Sequence, residues 1–200
     1  MFQFIDHPIR GIIHIGAHQA EEHSLYLLNN IEHVLWIECN NEYEDIIIQK
    51  IQGNKNHKVI IQCIANIAQT QVFNISNNGQ SSSFLDFNFH KYLYPNIKYT
   101  KQKIVKTLRM IDIINLYNIN LNNYNAINID VQGYELETIK SFDDTIKNFD
   151  YIYTEVFLES LYHNCPLINE IDNYLLKYNF TRKYTKLYNK HWGEALYTKL

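Results

Sequence analysis

Acidic and histidine side chains follow directly after several of the short apolar segments of the chain. Groups of this kind can hold a hydroxyl-rich ligand or exchange a proton with it. In a parallel α/β sheet, the carboxyl ends of neighbouring strands meet at one edge, and ligands bind there. The sequence therefore predicts a site built from side chains at four segment ends: His18, Glu38, Asp130 and Glu155.

The first of these ends contains a glycine turn. Gly16 follows the run 11–15 and permits a tight turn, after which we expect free backbone N–H groups. Glu38 follows about 20 residues later, a spacing at which an acid can accept both hydroxyls of a ribose. The G-x-G-x-x-G pattern is absent, because His18 and Glu21 occupy its later positions. Glu21 would also repel a pyrophosphate, so S-adenosylmethionine fits better than a dinucleotide. The alternative is an ordinary turn followed by a coincidental acid.

Composition places the chain among ordinary globular proteins. Its 200 residues are 46% hydrophobic and 20% charged, which suits one domain over residues 1–200. A net charge of −3 and a pI near 6.3 lack the basic excess of a nucleic-acid-binding protein. The sequence contains no apolar run of membrane-spanning length. We therefore expect neither a nucleic-acid nor a membrane partner.

The cysteines and the start of the chain predict a compartment. The three cysteines are widely spaced and form no C-x-x-C motif, which argues against a disulfide framework and a zinc ribbon. Residues 1–7 lack the basic and apolar regions of a secretory leader. We expect a cytoplasmic protein in a reducing environment.

The apolar runs alternate in the manner of strands and helices. The predicted strands are 11–15, 34–37, 58–64, 71–75, 103–108, 125–129, 150–156, 180–187 and 194–200. The predicted helices are 21–30, 42–51, 110–117, 135–142 and 167–178, and the serine-rich segment 77–88 is a loop. The order predicts an α/β domain with a mostly parallel sheet and an antiparallel C-terminal strand pair at its edge.

Six ordered blocks of the sequence resemble the FkbM-type branch of class I S-adenosylmethionine-dependent methyltransferases. They are the glycine turn 14–20, the acid block 36–38, the serine loop 81–84, the segment 105–112, the signature Ile129-Asp130-Val131-Gln132-Gly133-Tyr134-Glu135, and the block 153–156. Two positions depart from the family pattern: His14 stands in place of Asp, and Ala20 in place of Gly. The resemblance covers most of the chain and implies a Rossmann-like class I methyltransferase fold.

The resemblance also implies roles for particular residues. The implied cofactor contacts are His14, Gly16, Ala17, His18, Glu38, Cys63, Ile64, Ala65 and Asp130. The implied acceptor contacts are Ser81, Ser82, Ser83, Gln132 and Glu135. Members of this family methylate hydroxyl groups, often on sugars or small metabolites, so we expect a small-molecule or glycan acceptor. Asp130 is the first candidate for the general base, followed by Glu155 and Glu135, with His18, His90 and His163 as alternatives.

Several of these assignments have structural alternatives. Glu135 could be a helix-start acid, Glu155 could form a salt bridge, and the serine loop could be a surface loop instead of a lid. Tyr92, Tyr94 and Tyr99 could stack on a sugar or simply pack, and the turn 191–193 could border the acceptor pocket. A divalent ion held by Asp130 and Glu155 is an open alternative, but two acids do not define a magnesium site, so we assign no metal ligands. A nitrogen acceptor and a degenerate, non-catalytic binding module remain open, as does a homodimer.

Overall fold

The computed structural model describes residue 5 and residues 7–200. Most of the segment on which the absence of a leader was argued therefore lies outside the described residues. Within them, no helix has both the length and the apolar character needed to cross a lipid bilayer.

Ten strands and six helices make up the described chain. In chain order they are β1 (Gly11–Ile15), α1 (His23–Leu28), β2 (His33–Glu38), α2 (Glu44–Ile51), β3 (His57–Ile61), β4 (Cys63–Ile64), β5 (Thr70–Ser76), α3 (His90–Leu93), β6 (Tyr99–Leu108), α4 (Met110–Leu116), β7 (Ala126–Ile129), α5 (Glu135–Lys140), β8 (Tyr151–Phe157), α6 (Ile168–Leu176), β9 (Phe180–Leu187) and β10 (Trp192–Lys199). Short 3₁₀ turns lie at Asn41–Tyr43, Leu121–Asn123 and Asp143–Asn148.

A seven-stranded sheet forms the centre of the fold, in the order β3-β2-β1-β7-β8-β10-β9. Strands β1, β2, β3, β7 and β8 are parallel, and β10 is antiparallel to both β8 and β9. This confirms the predicted mostly parallel sheet with an antiparallel C-terminal pair at one edge. Every residue of β1 and β7 is buried, as expected of parallel strands covered on both faces.

Two apolar clusters cover the two faces of this sheet. One packs α4, α5 and α6 against it and includes Met110, Phe142, Phe149, Ile171 and Leu175. The other packs α1 and α2 against the opposite face and includes Tyr26, Trp36, Ile47 and Ile51. The sheet therefore holds its strand ends in a rigid layer, from which the site is built.

The segments after β3 differ from the prediction. The expected strand 58–64 is divided into β3 and β4, because the chain leaves the main sheet after Ile61. Strand β4 pairs with β6, and β5 is antiparallel to β6 in a separate three-stranded sheet. The strand predicted at 71–75 is confirmed as β5, and it belongs to this second sheet. This small sheet places the loop 77–88 over the carboxyl ends of the main strands.

Helix α1 packs on the sheet through aromatic side chains. His23 and Tyr26 are its buried residues, whereas Leu28 is 81% exposed and Leu25 and Leu27 are also exposed. Tyr26 stacks on the Trp36 ring at a centroid distance of 5.3 Å. Aromatic area therefore supplies the contact between α1 and the sheet.

Two of the three cysteines form a disulfide, contrary to the expectation from their spacing. Cys39 and Cys63 are 24 residues apart in sequence, but their Cα atoms are 4.2 Å apart. Cys39 follows the end of β2 and Cys63 begins β4, so the fold brings the two together. Cys165 is a buried free thiol.

This pairing predicts a thiol count. Unfolded protein purified without reductant should titrate about one thiol per chain, from Cys165, and about three after reduction. Cys165→Ser is the control and should give about none before reduction. Three reactive thiols in the unreduced wild type would show that the disulfide does not form.

Candidate functional site

The turn after β1 packs directly on the end of β7. Gly16 has φ +85°, and a Cβ atom built there would lie 1.8 Å from the carbonyl oxygen of Asp130. Its N–H and that of Ala17 both donate to the Ile37 carbonyl, at 2.9 and 3.1 Å. These two N–H groups are therefore bonded to β2 and are not free for a ligand. The turn contributes close packing between the ends of β1 and β7, and these two N–H groups do not serve as donors for a ligand.

Glu38 is tied to the same turn through backbone hydrogen bonds. Its Oε2 accepts from the His18 N–H at 2.7 Å, and its Oε1 accepts from the Asn40 N–H at 2.7 Å. The side chain is buried, and this burial raises its pKa to about 7. Each oxygen keeps a lone pair, so the carboxylate can still accept hydroxyl groups from a ligand.

A narrow crevice of about 60 Å³ lies beside Glu38. Its apolar walls come from Ile37, Ile64, Phe73, Phe84 and Tyr134. Of Cys63, Ile64 and Ala65, the three consecutive residues among the implied cofactor contacts, only Ile64 lines this crevice. Cys63 is held in the disulfide, and Ala65 is buried outside the lining.

The serine loop closes over this crevice, and its serines have different positions. Ser82 lines the crevice and donates to the Gly79 carbonyl at 2.6 Å, whereas Ser81 lines a second, larger cavity. Ser83 lines neither cavity; its hydroxyl donates to the Gln132 carbonyl at 2.7 Å. Ser83 therefore contributes to the site by holding the Gln132 backbone in place.

The larger cavity measures about 380 Å³ and opens beside the crevice. The two share Gly16, His18, Gln80, Asp130 and Gln132 in their linings. Five carboxylic acids border the larger cavity, and no lysine or arginine does so in the described chain: Glu21, Glu22, Asp130, Glu155 and Glu194. The cavity is therefore acidic, and it adjoins the crevice at the end of β7.

Asp130 directly follows β7, Glu155 lies within the neighbouring strand β8, and the two carboxylates share one amide. The Gln132 Nε2 donates to Asp130 Oδ1 at 2.6 Å and to Glu155 Oε2 at 3.0 Å. Asp130 is exposed to the cavity, but desolvation by the protein around it raises its pKa to about 6. Glu155 is buried, and its burial together with the nearby Asp130 raises its pKa well above the usual range. The salt bridge considered for Glu155 does not occur among the described residues; its partner is a neutral amide.

Glu135 is buried behind the turn 130–133 and lines neither cavity. Its Oε1 accepts from the N–H groups of Val131 and Gly133, at 3.2 and 3.1 Å. The structure therefore corrects its assignment as an acceptor contact and supports the helix-start alternative. Burial raises its pKa to about 8.

Two histidines lie at the ends of the glycine turn. His14 is buried with its Nδ1 3.1 Å from the Tyr26 hydroxyl, and burial lowers its pKa to about 3. His18 has its Nδ1 2.6 Å from Glu21, and its buried Nε2 has no hydrogen-bond partner in the described chain. Both line the larger cavity, so both remain candidate contacts.

The other histidines contribute less. His90 lines the larger cavity and stacks on Phe87 at 4.2 Å, and its burial lowers the pKa to about 4. His163 borders neither cavity. Among the described residues, no group of three or more histidine, cysteine or acidic side chains could hold a metal ion.

Part of the larger cavity is lined by residues that were not predicted from the sequence. Glu194 in β10 lies opposite Glu155 in the strand register and accepts hydrogen bonds from Tyr153 and Tyr188. Trp192, in the suspected turn 191–193, donates to the Tyr94 hydroxyl at 3.0 Å. An isolated acid in a late strand carries no local signal, because only the β8–β10 pairing brings it to the site.

The fold and this edge of the sheet define a class. A parallel sheet with an antiparallel final pair and a glycine turn facing an acid at the end of β2 is the arrangement of Rossmann-like methyltransferases. The family model described as the methyltransferase FkbM domain matches residues 14–182. The chain belongs to this methyltransferase family.

Solved structures agree at the level of the fold. The ribosomal protein L11 methylase from Lactobacillus delbrueckii subsp. bulgaricus aligns with a TM-score of 0.53 and 9% identity, over 100% of this chain and 74% of that one. The putative tRNA (m1A22) methyltransferase Sp1610 from Streptococcus pneumoniae gives 0.53 and 8%, over 94% and 63%. M. capricolum TrmK, solved with S-adenosyl-homocysteine, gives 0.50 and 9%, over 94% and 62%. The chain thus spans less than two thirds of the last two proteins. No curated protein matches it by sequence.

The contact at Gly16 predicts a selective effect of alanine. Gly16→Ala should destabilise the fold by several kcal/mol more than Gly53→Ala, measured as the free energy of unfolding in urea. Both positions have positive φ and share a cost of roughly 1–2 kcal/mol. Only Gly16 meets backbone atoms, since nothing lies within 4 Å of a Cβ at Gly53. Equal destabilisation of the two variants would contradict the packing described for the turn.

The raised pKa of Glu135 predicts how stability depends on pH. Its pKa rises from 4.5 to about 8 on folding, so the native state holds a proton that the unfolded state releases. The contribution is present below about pH 4.5 and is lost as the pH rises through about 8. Glu135→Gln should therefore gain stability relative to wild type between pH 5 and pH 9, measured by urea unfolding. The control is Glu137→Gln on the more exposed side of α5, and a constant difference between Glu135→Gln and wild type would refute this account.

Proposed function

We propose that the protein is an S-adenosylmethionine-dependent methyltransferase that methylates a hydroxyl group of a sugar or sugar-containing small molecule. The observation that carries the proposal is the joining of two cavities at Asp130. A crevice with the features of a nucleoside site meets a larger acidic and aromatic cavity at this residue. A methyl group passing from one ligand to the other would cross at that junction.

The crevice has the groups that the cofactor requires. The Gly16 turn leaves no Cβ atom in the way, Glu38 keeps lone pairs for the ribose hydroxyls, and Ile64 and Phe84 provide apolar area for adenine. When bound, S-adenosylmethionine supplies a methyl group on a cationic sulfonium. The nearby acids, Glu21 and Asp130 among them, would stabilise this positive charge.

The larger cavity suits a hydroxyl-rich acceptor. Tyr188 and Trp192 pack at a ring distance of 4.8 Å, and Tyr94 adds a third aromatic ring beside them. Glu155 and Glu194 lie on the same wall and can accept hydrogen bonds from hydroxyl groups. Aromatic faces beside carboxylates provide both stacking area and polar recognition for a sugar ring.

Asp130 is placed to act as the general base. It borders both cavities, so an acceptor hydroxyl that approaches the methyl group also approaches this carboxylate. With the cofactor bound, Asp130 would take the proton of the acceptor hydroxyl as that oxygen received the methyl group, and the electron pair of the broken bond would remain with the cofactor. Holding the reactants in line contributes the larger part of such a reaction.

A nitrogen acceptor is the second candidate function. Its support is the set of five acids around a cavity that has no lysine or arginine in its lining, which would attract an amine. Hydroxyl and amine acceptors can be compared directly in one assay panel.

Separate variants test binding and turnover. Glu38→Ala should weaken S-adenosylmethionine binding by about tenfold or more in calorimetric titration, because the ribose loses its acceptor. Asp130→Asn should keep cofactor affinity within a few fold and lower turnover by about 100-fold on an amenable sugar acceptor. Glu32→Ala, a change at an exposed acid, is the control for both. Absence of cofactor binding at millimolar concentration in wild type would refute the proposal.

A further inference from the structure

The amide of Gln132 is fixed in one orientation by its neighbours. The Tyr162 hydroxyl donates to Gln132 Oε1 at 2.6 Å, which identifies that atom as the acceptor. The Nε2 therefore faces the two carboxylates and donates one hydrogen to each. The Gln132 backbone is also held, since its φ is +54° and its carbonyl accepts from Ser83.

No lysine or arginine lines the larger cavity in the described chain, so none could bind the two carboxylates in place of the Gln132 amide. The titratable groups that interact with Asp130 come from several elements: His18, Glu21 and Glu22 after β1, Glu135 in α5, Glu155 in β8, Tyr162 after β8, Tyr188 before β10 and Glu194 in β10. Five of these eight are acids, and each of them that is charged favours protonation of Asp130 and Glu155. A protonated Asp130 could not accept a proton from the acceptor hydroxyl.

We propose that Gln132 is a positioning residue, whose clamped amide keeps Asp130 ionised and oriented toward the acceptor. It acts through the two carboxylates it holds. The donated hydrogen bonds stabilise the charged forms, and they lower the pKa of Asp130 and of Glu155 against the larger effect of burial. A neutral amide achieves this without a cation that would repel the sulfonium. The inference rests on the proposed function in assigning the base to Asp130.

Three variants separate this role from simple packing. Gln132→Met keeps the approximate length of the side chain and removes both donated hydrogen bonds. Gln132→Glu replaces the donor with another acid. Tyr162→Phe leaves the amide in place and removes only the hydroxyl that fixes its orientation.

The first measurement is the titration of Asp130 in cofactor-free protein, followed through carboxyl ¹³C shifts. The titration should move to higher pH by about one unit in Gln132→Met, further in Gln132→Glu, and least in Tyr162→Phe. An unchanged Asp130 titration in folded Gln132→Met would overturn the proposal. If Gln132→Met does not fold, the comparison of Gln132→Glu with Tyr162→Phe decides in the same way.

The second measurement is the pH profile of turnover with a sugar acceptor. The acidic limb should move by the same amount as the titration, so that Gln132→Met loses about fivefold in kcat at pH 6, where wild-type Asp130 is half ionised, and recovers most of it at pH 9. A uniform loss across the pH range would indicate a purely structural role and would overturn the proposal. If wild type methylates no hydroxyl, the proposed function fails, whereas the cofactor-free titration still decides the effect of Gln132 on Asp130.

Discussion

The close contact between the Gly16 turn and the end of β7 holds the two parts of the site together. Strand β1 lies between β2 and β7, so this turn touches both neighbours. Through Ile37 and Glu38 it is bonded to the end of β2, and through the Asp130 carbonyl it packs on the end of β7. Any side chain at position 16 would push the end of β1 away from the end of β7. The crevice would then be separated from the larger cavity.

Acidic groups gather at this junction at a cost to stability. Glu155 and Glu194 are cross-strand neighbours, an arrangement that destabilises a sheet when both are charged. The described structure offsets the repulsion with neutral donors: Gln132 for Glu155, and the hydroxyls of Tyr153 and Tyr188 for Glu194. Such a cluster of acids is typical of a functional site, where a lower local stability accompanies an electrostatic potential that attracts a cationic ligand.

The sequence predicted those parts of the fold that are encoded by contiguous apolar segments. Strand β1 and the strand before Asp130 are short runs of buried residues, so their positions and the residues at their ends could be predicted. The separate sheet of β4, β5 and β6 could not, because an alternating strand does not specify which sheet it joins. The Cys39–Cys63 pair was missed for the same reason, since its proximity comes from the departure of β4 from the main sheet.

The site residues divide in the same way, into those that local motifs predict and those that only strand pairing and long-range contacts bring to the site. Asp130 and Glu38 belong to local motifs, whereas Glu194 reaches the site only through the β8–β10 register. Tyr162 reaches it through a contact across 30 residues with Gln132. Motifs therefore identified the cofactor side of the junction better than the acceptor side, where strand pairing and long loops assemble the wall.

The serine loop connects the size of the crevice to the geometry of the base. At roughly 30 Å³ for each water in the liquid, the 60 Å³ beside Glu38 has room for about two water molecules, fewer than the atoms of a nucleoside. Gly79, Ser82 and Phe84 of the serine loop form part of the wall that limits this space. Ser83 lies in the same loop and donates to the Gln132 carbonyl, and the Gln132 amide donates to Asp130 and Glu155. The loop that bounds the crevice is therefore linked by hydrogen bonds to the proposed base.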